Sequence, residues 1–220
     1  MLVLVACEES QRVCVAFRNR GHKAFSCDLQ MCSGGHPEWH IKGDCLPLLN
    51  GRCTFETCDG VIHYLSDKWD LIIAHPPCTY LCRSGMHYCN VDRYGQQALS
   101  RLKLRDDALQ FFIKIANADC EKICIENPIG YVSDAYKKPT QIVQPLEFGD
   151  AVKKSTCLWL KGLPPLQPTQ IVPQKLIYVN GRYYDEWFYK TMCIRNNAER
   201  SRIRSVTFPG IANAMATQWG

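Results

Sequence analysis

Residues Trp69 to Tyr80 read WDLIIAHPPCTY. Leu71, Ile72, Ile73 and Ala74 form an unbroken apolar run, the pattern of a strand buried on both faces rather than one with a wet side. The run halts at His75. Two prolines then fix the chain ahead of Cys78, because proline locks its own φ and drives the preceding residue out of the helical region. A thiol is thereby set on rigid backbone just past the end of a central strand. Working outward, Leu2 to Ala6 (LVLVA) carries the same buried-strand signature. Glu8, Glu9 and Ser10 follow, then Val13, Val15, Ala16 and Phe17, which predicts a helix capped by Ser10 and ended by Gly21. Lys23 to Cys27 is a second strand closing on Asp28, so the chain opens with a right-handed strand, helix, strand unit. Gln96 to Asn117 is helical, with Ala98, Leu102, Leu109, Phe112, Ile113 and Ala116 on one face. Lys122 to Ile125 and Thr156 to Leu160 are further strands, and Phe208 to Trp219 is a closing apolar helix. Strands alternating with helices predict an α/β chain with a mostly parallel sheet and helices on both faces.

This rhythm breaks between Gly162 and Arg204, where Pro164, Pro165, Pro168 and Pro173 precede the aromatic and basic stretch Tyr178 to Lys190. The expected division is therefore a core over residues 1–161, a small insert over 162–204 and a closing helix over 205–220. With 220 residues, 46% of them hydrophobic and 21% charged, the chain can bury one full core, which excludes disorder and fibre. No run approaches the roughly 20 apolar residues of a membrane helix, and the N-terminal run turns acidic at Glu8 too soon for a signal peptide. The 14 cysteines are about 6% of the chain, below the roughly 8–10% of a disulfide scaffold, so reduced thiols in a cytoplasmic protein are expected. Charge is unevenly placed. Residues 1–150 hold 16 Lys and Arg against 18 Asp and Glu, whereas residues 151–220 hold 10 against 3. A basic C-terminal end of this kind matches a polyanion.

In open α/β sheets ligands bind beyond the carboxyl ends of the strands, where Glu8, Glu9, Asp28, Cys78 and Glu126 fall. Asp28 lies about 20 residues after the first strand-to-helix turn, the place of an acid that bonds a ribose. The turn itself, Cys7-Glu8-Glu9-Ser10, lacks the glycines of a phosphate-binding loop. A ribose-bearing, cationic cofactor without phosphate, such as S-adenosylmethionine, suits those carboxylates better than a dinucleotide, although first-turn acids also serve a helix macrodipole. Cys27, Cys32, His36 and His40 form a C-x4-C-x3-H-x3-H pattern of zinc-type ligands without a CxxC pair, and no metal is expected there. Tyr178, Tyr183, Tyr184, Trp187 and Tyr189, with Arg182, Lys190 and Arg195, can either stack bases and grip backbone or form an aromatic subcore with basic edges.

HPPCTYL at 75–81, IENPIGY at 125–131, KKSTCLWLKGLPPL at 153–166 and FPGIANAMA at 208–216 together resemble the cytosine-5 DNA methyltransferases, most closely their short, often phage-borne members. The likeness spans nearly the whole chain. It implies a Rossmann-like S-adenosylmethionine-dependent methyltransferase fold and a flipped cytosine attacked through a covalent Cys78 adduct, with Glu126 on the Watson–Crick edge and Lys154 beside them. It further implies that Cys7, Glu8, Glu9, Asp28, Asp44, Pro77 and Asn213 line the cofactor site. Lys153, Arg182, Lys190 and Arg195 would then hold DNA. The insert is far smaller than the recognition domain of typical members, so sequence reading falls on a short element, a second copy of the chain or a separate recognition partner. Two other readings remain: an amino-methyltransferase, from a loose likeness of HPPC to Asp/Asn-Pro-Pro-aromatic, and an inactive nucleic-acid-binding module on the same core.

Overall fold

The computed structural model describes all 220 residues. In chain order the elements are β1 (Leu2–Ala6), α1 (Arg12–Arg18), β2 (Lys23–Asp28), β3 (His40–Lys42), β4 (Thr54–Glu56), β5 (Ile62–Tyr64), β6 (Leu71–Ala74), α2 (Val91–Ala116), β7 (Ile123–Pro128), α3 (Val132–Ala135), β8 (Gln141–Val143), β9 (Thr156–Lys161), β10 (Leu176–Val179), β11 (Arg182–Asp185), α4 (Glu186–Met192), α5 (Asn197–Ser205) and α6 (Pro209–Trp219). Seven strands form one sheet in the order β3-β2-β1-β6-β7-β9-β8. β3, β2, β1, β6 and β7 are parallel, while β9 runs antiparallel to both β7 and β8. The expected mostly parallel α/β architecture is present. Two antiparallel hairpins, β4–β5 and β10–β11, lie outside this sheet.

Apolar residues run without a break in the central strands because each face of the sheet has its own core. Leu4 and Ala6 of β1 pack with Phe25, Ile72, Phe112 and Ile115, on the side covered by α2. Val3 and Val5 pack with Val13, Phe17, Ile211, Met215 and Trp219, on the side covered by α1 and α6. Fully burying each of the larger side chains stabilises the fold by about 1.5–3 kcal/mol. No helix is long and apolar enough to cross a membrane.

Several boundaries differ from the sequence expectation. Ser10 does not cap α1. The Glu8 carboxylate does so, accepting hydrogen bonds from the backbone N–H of Val13 (2.6 Å) and Cys14 (3.2 Å). α2 starts at Val91, with the Asn90 side chain accepting from Arg93 N, but Gly95 (φ 50°, ψ −127°) interrupts it. The regular helix therefore begins at Gln96, where the apolar periodicity begins. β7 continues through Pro128, so Glu126 lies within the strand rather than after it. Between β9 and α6 the insert folds as the β10–β11 hairpin followed by α4 and α5, the hairpin turning on Asn180 (φ 48°) and Gly181 (φ 80°), the left-handed pair a type I′ turn requires.

One close approach joins the loop after Cys78 to the loop after β7. Tyr131 N donates to Leu81 O (2.7 Å), Arg83 N donates to Ile129 O (3.2 Å), and Cys82 bridges Gly130, tying the segment after Cys78 to the segment after β7. A Cβ on Gly130 would collide with the Leu81 carbonyl oxygen and the Cys82 Cα. Gly130→Ala is expected to cost about 1–3 kcal/mol, since backbone on both sides must move. Urea unfolding of the two proteins checks this, and equal midpoints would refute it.

Candidate active site

β1 lies between β2 and β6, so the chain after β1 leads toward β2 while β6 opens the other half of the sheet. At such a switch point the loops beyond the strand ends part and leave a crevice. Cys7, Glu8 and Glu9 follow β1, Asp28 ends β2, Asp44 follows β3, and His75 to Cys78 follow β6.

On the β6–β7 side, the parallel register pairs Ala74 with Ile125, which sets His75 beside Glu126. His75 Nδ1 is 2.9 Å from Glu126 Oε2, with side-chain exposures of only 9% and 14%. Burial alone would discharge both groups. Instead the mutual hydrogen bond and charge outweigh it, raising the His75 pKa above its ordinary value and lowering that of Glu126, with Glu8 assisting the first and Lys154 the second. The proton of the pair therefore resides on His75, and both partners are mostly charged between pH 4.5 and 6.5. His75 Nε2 is buried with no hydrogen-bond partner. Asn127, also buried, donates Nδ2 to Pro76 O (2.9 Å) and so ties the proline pair to β7.

Cys78 opens the turn that follows, its carbonyl accepting from Leu81 N (3.0 Å) and Cys82 N (2.9 Å). Burial pushes its thiol pKa up, Cys82 and Glu126 reinforce the shift, and Lys154 opposes it. Cys78, Glu126, His75 and Lys154 thus share one electrostatic neighbourhood. Lys154 Nζ donates to the carbonyl of Arg204 (2.7 Å) near the end of α5 and lies over the rings of Phe208 (5.6 Å) and Trp187 (5.9 Å).

The β1–β3 side gathers a second set. Cys7 is in the left-handed region (φ 59°) and its sulfur is 4.0 Å from that of Cys45; this neighbour and burial hold it protonated. Asp28 and Asp44 each spend one oxygen on a local turn, accepting from Gln30 N (2.9 Å) and Leu46 N (3.0 Å). Glu8 is committed to α1, whereas Glu9 Oε1 is buried without a partner. Burial raises the Glu8 carboxyl to about 7, with His75 and the two amide donors pulling the other way.

Other expected residues lie elsewhere. Pro77 is exposed at the mouth of the Cys78 turn. Asn213 is exposed on α6 and lines a groove of about 590 Å³ with Ser10, Gln11, Arg12 and Arg202, but without Cys7, Glu9 or Asp28. Lys153, Arg182, Lys190 and Arg195 are all exposed, and Lys190 pairs with Glu186 (2.9 Å). Among the insert aromatics, Tyr178 and Tyr183 face each other across the hairpin at 4.9 Å, while Trp187 packs on Phe208 at 5.2 Å. Cys27, Cys32, His36 and His40 do not converge. His40 meets Ser26 Oγ (2.8 Å) and Gln30 O (2.9 Å), His36 meets Glu38 (3.0 Å), and Cys27 donates to Gly43 O (3.4 Å). No group of three His, Cys, Asp or Glu side chains is placed to hold a metal ion.

His75 and Asn127 are the site residues that reading the sequence for chemistry overlooks. The available signal was positional: His75 and Glu126 are each the first polar residue after an apolar run, and the strands that hold those runs are neighbours. Compared with known proteins, the chain matches no protein-family model and no curated protein.

Two outcomes follow from these charges. Between about pH 4.5 and 7 folded Glu8 keeps a proton that the unfolded chain has released, so rising pH destabilises the fold, by ~3 kcal/mol over that window. Glu8→Gln keeps an oxygen for Val13 N–H and should lose that share of the pH dependence, as read by urea unfolding at pH 5 and pH 8; an unchanged pH dependence would refute it. Lys154→Met removes the one cation that lowers the Cys78 pKa. Alkylation of Cys78 by iodoacetamide, followed by peptide mass spectrometry, should shift its midpoint to higher pH, with Lys154→Arg staying near wild type.

Proposed function

We propose that this chain is an S-adenosylmethionine-dependent DNA cytosine-5 methyltransferase. The observation that carries the reading is the pairing of Cys78 and Glu126. A rigidly held thiol and a buried carboxylate, at the carboxyl ends of adjacent parallel strands, are linked through His75 and Asn127 and share the charge of Lys154. The acids of the opposite half support the cofactor assignment. Glu9 Oε1 is an unspent buried acceptor, while Asp28 ends β2 and Asp44 follows the neighbouring β3 at the same end of the sheet, a set of acids that fits a cationic, ribose-bearing group. Glu9, Asp28 and Asp44 would hold it, with Cys7 near Asp28. When bound, the sulfonium compound supplies an electrophilic methyl group. The 14 free cysteines fit a reducing compartment such as the cytoplasm.

The residues present divide the work on cytosine. C5 is too electron-poor to accept a methyl group directly. The Cys78 thiolate adds to C6, forming an S–C6 bond, and the displaced electron pair makes C5 nucleophilic while N3 takes up a proton. Glu126 stands where that proton is delivered. It is ionised in the free protein, so the proton comes from His75 Nδ1–H, 2.9 Å away, and passes through the Glu126 carboxylate to N3. Once C5 carries the methyl group, loss of its proton to water restores the C5–C6 double bond and expels Cys78 as thiolate, and N3 returns its proton through Glu126. Lys154 favours the thiolate in both directions. Base flipping costs a few kcal/mol, and the basic residues after Asp150 offset it through phosphate contacts.

DNA carrying 5-fluorocytosine, which cannot lose its C5 substituent, tests the mechanism directly. With cofactor present, a covalent protein–DNA complex stable to denaturing electrophoresis is expected. Cys78→Ala should abolish it and Glu126→Gln should slow it by about 10²–10⁴. No adduct across a random-sequence DNA pool, or one that persists in Cys78→Ala, would overturn the reading.

A further inference from the structure

The segment after Cys78 builds a feature that the proposed chemistry does not use. Arg101, on the regular part of α2, donates Nη2 to Thr79 O (3.1 Å) and Nε to Gly85 O (3.2 Å). Those bonds fix its guanidinium 5.1 Å from the ring centre of Tyr80 and 5.5 Å from that of Tyr88. Tyr94 stands 5.5 Å from Tyr88 on the short turn before Gly95. Together with Gln97 these side chains line an open groove of about 480 Å³, within the roughly 300–1,000 Å³ range of small-ligand sites. Tyr88 is 49% exposed, with the His87 ring packed 3.9 Å from its own, so part of the ring is open to the groove.

We infer that this groove holds the nucleobase next to the target cytosine, in an unpaired stretch of DNA, stacked on Tyr88. The inference rests on the DNA-methylating reading for its substrate. Three observations support it. Aromatic faces and a fixed guanidinium accept any base through its π-face, and the Gln97 amide offers both donor and acceptor to a base edge. Arg93, 5.3 Å from the Tyr94 ring, adds a second cation at the groove for the connecting phosphate. Tyr80 is two residues beyond Cys78, at most about 7 Å along the chain, so a base engaged here must be a near neighbour of one held at Cys78. Part of the sequence context would thus be read by the core, outside residues 162–204. Both faces of a base become available only when it is unstacked, which gives the preference for unpaired DNA.

Single-stranded oligonucleotides with 5-fluorocytosine at one position and 5-iodouracil at varied distances separate the claims. Irradiation with the full chain and cofactor should crosslink a flanking 5-iodouracil to Tyr80, Tyr88 or Tyr94, mapped by peptide mass spectrometry, and should give no such crosslink several nucleotides away. Tyr88→Ala should lose the crosslink and weaken binding at least fivefold, while Tyr88→Phe retains both. Crosslinks mapping elsewhere, or wild-type affinity in Tyr88→Ala, overturn the groove assignment even if the Cys78 adduct forms. A Tyr88-dependent crosslink without adduct supports the groove as a DNA site and overturns the methyl-transfer reading instead.

Discussion

The bond between His75 and Glu126 joins the ends of two adjacent parallel strands, and the rest of the site is hung from it. Burying two charges is costly, and their attraction offsets that cost only while both are in place; removing one partner of such a pair typically costs 3–5 kcal/mol. The pair is therefore weak evidence for stability but strong evidence for registry. With Asn127 Nδ2 on Pro76 O, it leaves the proline pair no freedom to slide relative to β7. Gly130 closes the arrangement from the other end, where its missing side chain lets the segment after β7 abut Leu81. Cys78 lies between these two anchors, so its position follows from β6–β7 pairing rather than from the loop's own preferences.

The other half of the crevice solves a different problem. The turn after β1 has no glycine, yet Cys7 (φ 59°) and Gln11 (φ 58°) adopt left-handed backbone, which costs roughly 1–2 kcal/mol per residue. Gln11 is held there by its own side chain, which donates to Ser26 Oγ (3.2 Å) and His36 O (2.8 Å) and accepts from His36 N (3.1 Å). A glycine-rich turn exists to let a phosphate reach backbone amides; here the start of α1 is already taken by the Glu8 carboxylate. The same substitution that removes the phosphate site leaves Glu9 as the unspent acid. Of the two neighbouring glutamates, one caps the helix and the other keeps a buried oxygen without a partner.

Sequence pattern was informative wherever burial imposed a long repeat. Five apolar residues in β1 and the apolar face from Ala98 to Ala116 identified their elements because both faces of a central strand, or one face of a helix, must be dry. β3 and β8, three residues each, carry too little pattern to read. The reversal of β9 was also hidden, since alternation says which face a residue takes but not which strand it pairs with. Asn180-Gly181 did announce a hairpin, a signal lost among the prolines and aromatics around it. Ser10 looked like the cap by residue type, but Glu8, four residues before the helix start at Arg12, reaches the amides of Val13 and Cys14 with its carboxyl oxygens. Cys78, Glu126 and Asp28 were legible as strand-end residues. His75 was not, because its role exists only once β6 and β7 pair.

The basic C-terminal region has to be weighed by what its charges already touch. Lys175 and Lys190 both pair with Glu186 at 2.9 Å, and Lys154 is turned inward to a carbonyl. Exposed ion pairs contribute little and exchange readily for phosphate, so Lys175 and Lys190 remain usable by a polyanion. Lys154 does not. Its bond to Arg204 O connects the last turn of α5 to the neighbourhood of Cys78, and a cation near a helix C-terminus is itself favourable. Ordering of the insert against DNA would therefore be felt at Lys154, and through its charge at the Cys78 thiol. In the proposed reaction this single side chain couples the basic insert to the reactivity of Cys78.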